Sequence, residues 1–551
     1  MAAGDGANCI SGLRESPEFF HKENTQMQQV MAQDTFAALW NDRVTATPDR
    51  QFLVFQDVNG TVTEWSYGEF DLVVANARAL FARHGVGHGQ AVHVVLKNSP
   101  IFVALWLACA TSGSVFVPVD PGSSEQDLGR QIDRIKPTLG ICSLAGQSTY
   151  EAAASARGIN VVCFTETPDD VAVSGGAVLA DLPDAGGESG AIRRRDRLAV
   201  MFTSGTTSQP KGVVLTQANY HTVAEQMAAL AELREDHRWY VTLPLFHANA
   251  QYYCISPAIL VGASIAITAA FSASRWIAEA QKLGVTHASL FAAPIRMILG
   301  RTPHDAPQLA LEHVWFAQNL GGEHYTAFEK LVGVAPRQIY GMTETVTVVT
   351  ANPVLAPRPD RIGSVVPGKR IRVTDPETGA ECSGSPGVLE VAGIPGEDLF
   401  LEYFEDSEKT SLAFDARSDR DVWFSTGDLV EVCDDGALRF IGRTDDVIKV
   451  AGENVSLSDI EAAVAQAPGV LEAAVLSQPD PIRDVVPVAY VVPKDAGDPP
   501  SIAALDDWAV ENLVPSARPH AWHLIAELPR TSVGKVKRFV MRDAPAAEHR
   551  E

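Results

Sequence analysis

Residues 201–212 read MFTSGTTSQPKG, which places five Ser/Thr hydroxyls, two glycines and one lysine in a single short stretch. Backbone N–H groups that converge at glycine, hydroxyl donors and a mobile ammonium are what a polyphosphate asks of a loop. The order is not that of a Walker A loop, because Gly205 and Gly212 do not flank Lys211 in the G-x-x-x-x-G-K-[ST] pattern. By composition the stretch reads either as a phosphate grip or as a flexible surface linker. Four further segments carry reactive side chains: YGMTE at 340–344, WFSTGDLV at 423–430, FIGRTDDVIKVAGENV at 440–455 and PRTSVGKVKR at 529–538. Taken singly, Glu344 reads as a turn carboxylate, Asp428 as a turn or helix cap, Arg443 as a surface ion-pair partner and Lys535 as a solvated lysine.

The elements around these residues follow from periodicity. Leu198–Phe202 is an apolar run that predicts a buried strand, so the polar loop leaves a sheet edge for a cleft. From Phe36 to about Phe164, strands at 91–96 and 115–119 flank a buried helix at 101–110, and further strands are expected at 241–246, 263–268, 287–293 and 337–341. This alternation predicts an α/β fold with parallel-rich sheets. After Gly442 the texture changes: a short strand, a Gly-Glu-Asn turn and a helix capped by Ser458 and starting at Asp459 predict a small α+β domain. A polar extension at 1–33 and a Gly/Asp-rich surface loop at 174–190 complete the layout.

At 551 residues the chain exceeds one ordinary core. Its formal charge of −24 argues against a nucleic-acid footprint or an anionic membrane surface, so an anionic ligand depends on local cations. Arg193–Arg195, the one tight basic triplet, reads as a solvated linker. Seven scattered cysteines without C-x-x-C spacing, no secretory leader and no convincing membrane span predict a cytoplasmic protein without a zinc site.

In this order and spacing, the five segments resemble the core motifs of the adenylate-forming superfamily: acyl-CoA synthetases, peptide-synthetase adenylation domains and luciferases. The match runs from about Phe36 to Arg538. LPLFHANAQ at 243–251, YGMTET at 340–345 and GENVS at 452–456 look most like medium-chain and carnitine-type acyl-CoA ligases. The resemblance implies a large adenylation domain over 34–443 and a small mobile domain over 444–551. It implies ATP and Mg²⁺ as cofactors, and CoA or a free-standing carrier protein as acceptor. Thr203, Ser204, Gly205, Thr206, Thr207 and Lys211 would enclose the β- and γ-phosphates; Gly321, Gly322 and Glu323 would form the adenine slot, on which Tyr340 stacks, with Gly341 and Met342 beside it. Thr343 would touch the α-phosphate and Glu344 would bind Mg²⁺. Asp428 would hold the two ribose hydroxyls, and Arg443 ribose or phosphate. Lys535 would steady the attacking and bridging oxygens in adenylation. Asp445 falls at the hinge, and Gly452 would admit a pantetheine arm for transfer to thiol.

The acid pocket is expected between 244–251 and 316–320, lined by His247, Asn249, Gln251, Gln318 and Asn319, and this polar set fits a small or polar acid better than a plain fatty chain. At 480–492 the chain reads DPIRDVVPVAYVV, where the resembling ligases usually carry Glu near Val485 or Val486, a departure that bears on thioester formation. No carrier domain is expected after Lys535. Three readings therefore stand: an acyl-CoA ligase; an adenylating enzyme with another acceptor, a carrier protein, or an oxyacid such as nitrite; and a nucleotide-binding protein without catalysis.

Overall fold

The computed structural model describes residues 34–172, 179, 191–203, 210–303, 306–382, 384–416, 421–444, 446–450, 453–480, 484–530, 536, 538 and 541. Two large sheets dominate the N-terminal part. The first has nine strands, in which Gln51–Gln56, Ser264–Thr268, Arg238–Val241, His287–Phe291, His313–Ala317 and Arg337–Tyr340 run parallel and the outer strands antiparallel. The second has seven: Asn160–Phe164, Leu139–Ser143, Ala91–Val95, Val115–Pro118 and Arg197–Thr203 are parallel, and Lys211–Thr216 and Glu402–Tyr403 close the edge antiparallel. One apolar core takes residues from both sheets together with the helices Phe36–Ala46, Pro100–Ser112 and Gln217–Leu230.

Local signals explain the most buried helix. Pro100 occupies its first turn and Gly113 ends it in the left-handed conformation (φ 73°), while every residue from Ile101 to Ala110 is at most 1% exposed. An antiparallel sheet follows, built on Arg370–Thr374, Gly387–Gly393 and Val422–Val432, with Leu438–Arg443 paired to Val422–Val432. The C-terminal domain has its own core, from Ile448 and Val455 through Ile460, Val464, Val475 and Val491 to Trp522. Its sheet pairs Val470–Asp480 with Asp484–Pro493, and the latter with Ala521–Leu524.

Three expectations are corrected. The strand expected at 241–246 ends at Val241. Beyond it the backbone bonds to a side chain instead of a neighbouring strand: Asn98 donates to the Leu243 carbonyl (3.1 Å) and accepts from the Leu245 N–H (2.8 Å). The helix expected from Asp459 begins at Leu457, because Ser456, not Ser458, caps it by accepting the Asp459 N–H (3.1 Å), which also buries Leu457. Arg194 of the basic triplet is not a solvated linker residue, since it pairs with Asp34 (2.9 Å) and Glu397 (3.6 Å) and ties the start of the first helix to a distant loop. Most of 174–190 lies outside the described residues. Among the described residues no helix is long and apolar enough to cross a membrane.

Buried imidazoles give the fold an acid limit. His93 is fully buried against Tyr150 (2.8 Å), and His287 stacks between His237 and His313. Burial pushes His93 down to about 4 and His287 down to about 3. In the unfolded chain each titrates near 6.5, so the unfolded state binds more protons below that pH. The stability contribution is therefore complete above the unfolded value and is lost as pH falls through 6.5 towards 4. Between pH 7.5 and 5 each histidine should remove about 2 kcal/mol. Urea midpoints at the two pH values check this, and a midpoint that does not fall at pH 5 contradicts it.

Candidate active site

The site assembles where strands of all three large-domain sheets end. Arg197–Thr203 and Lys211–Thr216 are antiparallel partners in which Thr203 and Lys211 are directly paired. Ser204, Gly205, Thr206 and Thr207 lie outside the described residues. Lys211 sets its ammonium 5.0 Å from the centre of the Tyr403 ring, a cation–π contact. The Tyr403 hydroxyl donates to Glu344 Oε1 (3.2 Å), and Glu344 is 5% exposed. Burial raises the Glu344 carboxyl, while its own backbone N–H, Tyr403, Lys211 and Arg443 act in the opposite direction. A buried carboxylate with cations nearby and a strand edge for phosphates fits a hard divalent cation carried in with a polyphosphate. Among the described residues no group of three or more His, Cys, Asp or Glu could hold a metal without such a ligand.

A second cluster lies on the next sheet. Asp428 and Arg443 are register partners on adjacent strands. Asp428 Oδ2 accepts the Tyr340 hydroxyl (2.6 Å) and Oδ1 accepts Arg443 Nε (3.0 Å), with the carboxylate 5% exposed. Tyr340 reaches it from the parallel strand Arg337–Tyr340, and Phe440 lies 6.4 Å from its ring. Each carboxylate oxygen has a second lone pair, so a vicinal diol can still be accepted by the pair. Burial, and after it the neighbouring Asp428 carboxylate, push the Tyr340 phenol well above its usual range.

Gly321 precedes the helix Gly322–Val332 at φ 84°, a conformation that favours glycine, and its N–H donates to Asn319 Oδ1 (3.2 Å). A Cβ at Gly322 would meet nothing within 4 Å, whereas one at Gly321 would lie 3.2 Å from Gln466 of the C-terminal domain. The exposed Glu323 stands in the first helical turn. Thr343 and Met342 are half-buried in the turn after Tyr340, which is held by Thr345 bonding Met342 through both N–H and carbonyl (3.0 and 3.1 Å). Val346, fully buried, adopts φ 56°, a strained conformation for a β-branched residue and one that concentrates at functional turns.

The acid side is formed by a π-helical turn over Asn249–Ile255. Pro257 follows it; with no N–H to give and a ring that crowds the carbonyl four residues back, it favours the wider turn, whose bonds run instead from Ser256 to Gln251. His247 stacks on Phe246 (4.4 Å) at the entry to this turn. Gln251 is fully buried, accepting Tyr220 and donating to the Leu245 carbonyl (2.7 Å each). Gln318 is exposed at φ 74°, and Asn319 caps the Gly321 turn. Lys535, Asp445 and Gly452 lie outside the described residues.

Two participants escaped sequence reading. Tyr403 owes its place to the pairing of Glu402–Tyr403 with Val213 and Val214, and no motif marks it. Tyr253 owes its place to Gly341: a Cβ there would come within 2.9 Å of the Tyr253 hydroxyl oxygen. Gly341→Ala should therefore push the 340–344 turn out of place and lower adenylating kcat/KM at least tenfold. Adding Tyr253→Phe removes the clashing oxygen and should restore part of the loss. A double variant no better than Gly341→Ala alone would contradict this contact.

The AMP-binding enzyme profile matches residues 40–404, and the AMP-binding enzyme C-terminal domain profile matches residues 459–535. The crotonobetaine/carnitine–CoA ligase of Salmonella typhi is 28% identical over 506 residues, covering 90% of this chain and 97% of that protein. Among solved structures, ATP-bound MatB from Rhodopseudomonas palustris superposes with a TM-score of 0.77 at 24% identity, covering 92% of this chain and 98% of that one. A benzoate CoA ligase from Burkholderia xenovorans LB400 gives 0.79 at 22% identity, covering 92% and 100%. The chain belongs to the AMP-binding enzyme family and is an AMP-forming ligase of the adenylate-forming superfamily.

Proposed function

We propose that this enzyme uses ATP and Mg²⁺ to convert a small or polar carboxylic acid into its acyl-adenylate, releasing pyrophosphate, and then transfers the acyl group to CoA. The observation that carries this reading is the pairing of two clusters. Tyr340, Asp428 and Arg443 offer a carboxylate to a ribose, and Glu344, Tyr403 and Lys211 offer a buried carboxylate and an ammonium to a metal-bound polyphosphate. The loop from Thr203 to Lys211 would grip the β- and γ-phosphates, Thr343 the α-phosphate, and Gly321 to Glu323 the adenine edge. Mg²⁺, when bound, would neutralise phosphate charge; Glu344 supplies the protein's oxygen ligand.

The small domain, taken as 444–551 with its hinge at Asp445, would bring Lys535 to the first half-reaction and Gly452 to the second. The CoA ligases similar to this chain support CoA as the acceptor. Pyrophosphate release from ATP, measured with panels of carboxylic acids and separately with nitrite, each with and without CoA, tests the proposal. Release with an acid, and acyl-CoA formed only when CoA is present, is the expected outcome. Release without acylation of CoA would replace the acceptor, and no release with any acid would overturn the proposal.

A further inference from the structure

Of the polar side chains expected around the acid, Gln251 and Asn319 are committed to the protein itself. Both ends of the Gln251 amide are bonded, to Tyr220 and to the Leu245 carbonyl. Asn319 holds the Gly321 N–H, and Gln318 points its backbone carbonyl at Gln338 (3.1 Å) while its side chain is exposed. Asn249 differs. It is 6% exposed, its Oδ1 is sealed from solvent with no hydrogen-bond partner, and its amide makes no hydrogen bond among the described residues. Buried amides are almost always paired, so this one marks a place that another group completes.

Tyr253 stands beside it, with a hydroxyl that is not sealed from solvent as Asn249 Oδ1 is. It is 7% exposed and its hydroxyl lies against Gly341 without a hydrogen bond to any described residue. Asn249 and Tyr253 are four residues apart in the π-helical turn, a spacing that puts both on one face, and the contact with Gly341 shows that this face looks at the turn carrying Thr343 and Glu344. Tyr220 and Gln251 bond on another side of the same turn. A sealed amide oxygen without a partner and a solvent-reachable phenol hydroxyl without a hydrogen bond to any described residue thus stand one turn apart beside the loop where the acid would be activated.

We infer that Asn249 and Tyr253 read a neutral substituent on the substrate, and that the substrate is a carboxylic acid bearing a hydroxyl or carboxamide group. The inference rests on the acid-adenylating reading above and names its substrate class. An amide and a phenol each supply a donor and an acceptor and neither carries charge. Their complement is a group that both donates and accepts. An alkyl chain would leave both unpaired, and a second carboxylate or an ammonium would enter without a counter-charge from either residue. Sites built to hydrogen-bond a substrate hydroxyl discriminate strongly against the analogue that lacks it, because their own polar groups are then stranded.

The test is ATP–pyrophosphate exchange with acids of equal size that differ in one terminal group, methyl, hydroxyl or carboxamide, on the wild type, Asn249→Leu and Tyr253→Phe. The wild type should favour a hydroxyl or carboxamide acid over its methyl counterpart at least tenfold in kcat/KM. Asn249→Leu should cut that ratio at least tenfold, mainly through the KM for the acid, and Tyr253→Phe should cut it less. Melting temperature provides the second readout: Asn249→Leu removes no hydrogen bond among the described residues, so it should melt at or above the wild-type temperature. A wild type that favours the methyl acid, a variant that lowers all acids equally, or a marked fall in melting temperature overturns the inference. Exchange with no acid at all overturns the adenylation reading and this one with it. Exchange with alkyl acids alone overturns only this one.

Discussion

Lys535→Ala should lower acyl-adenylate formation about a hundredfold, equivalent to roughly 3 kcal/mol of transition-state stabilisation, and should spare transfer to CoA from supplied acyl-adenylate. In the proposed first step the acid oxygen attacks the α-phosphorus as pyrophosphate leaves, and charge builds on the attacking and bridging oxygens. An ammonium held there stabilises the transition state more than the ground state. The residues around Lys535 explain how it would be held. Arg530 and Val536 bridge antiparallel. Arg530 pairs with Glu472 (2.9 Å) and Arg538 with Glu461 (2.7 Å), anchoring both flanks to the C-terminal domain. In the proposed cycle the lysine would travel with that domain. Pyrophosphate exchange and thioester formation, assayed separately, check the prediction; equal loss of both half-reactions would contradict a lysine used in one pose only.

Asp428→Ala should weaken ATP binding about a hundredfold. Two ribose hydroxyls donating to a carboxylate are worth about 3 kcal/mol together, which converts to that factor. The same change strands the Tyr340 hydroxyl, which donates to Asp428 at 2.6 Å, and should cost stability of about 1–3 kcal/mol. Arg443 adds little to this loss, because its side chain is 40% exposed and can be solvated. Asp428→Asn should fall between, since an amide can bond Tyr340 but cannot offer two acceptor oxygens. Calorimetric titration with ATP in the absence of acid, together with urea unfolding, separates the two effects. Unchanged ATP affinity in Asp428→Ala would rule out the carboxylate as the ribose contact.

The elements were legible where local chemistry decides them. Pro100 and Gly113 bracket a helix whose apolar run leaves no exposed face, and the runs at 91–95, 198–202 and 264–268 are strands as alternation with helices predicts. The failures share a cause. Residues 242–246 have strand-like composition, but Asn98, far away in the chain, takes their backbone hydrogen bonds. Ser456 and Ser458 are equally good caps by type, and only the burial of Leu457 against the domain core chooses between them.

In the site, the motifs named Glu344, Asp428, Arg443 and Lys211 because each carries a charge or a hydrogen-bonding fork whose chemistry is local to the residue. The sequence by itself therefore determined the family, the α/β architecture and the class of reaction. It could not say which polar side chains are free. Gln251 and Asn249 look alike in a string of letters, yet one meets Tyr220 and the Leu245 carbonyl and the other makes no hydrogen bond among the described residues. Nor could it reveal Tyr403 and Tyr253, which reach the site through a strand edge and the bare α-carbon of Gly341. Satisfaction of a hydrogen bond is a property of pairs distant in the chain, so only the tertiary structure decided which polar groups are paired.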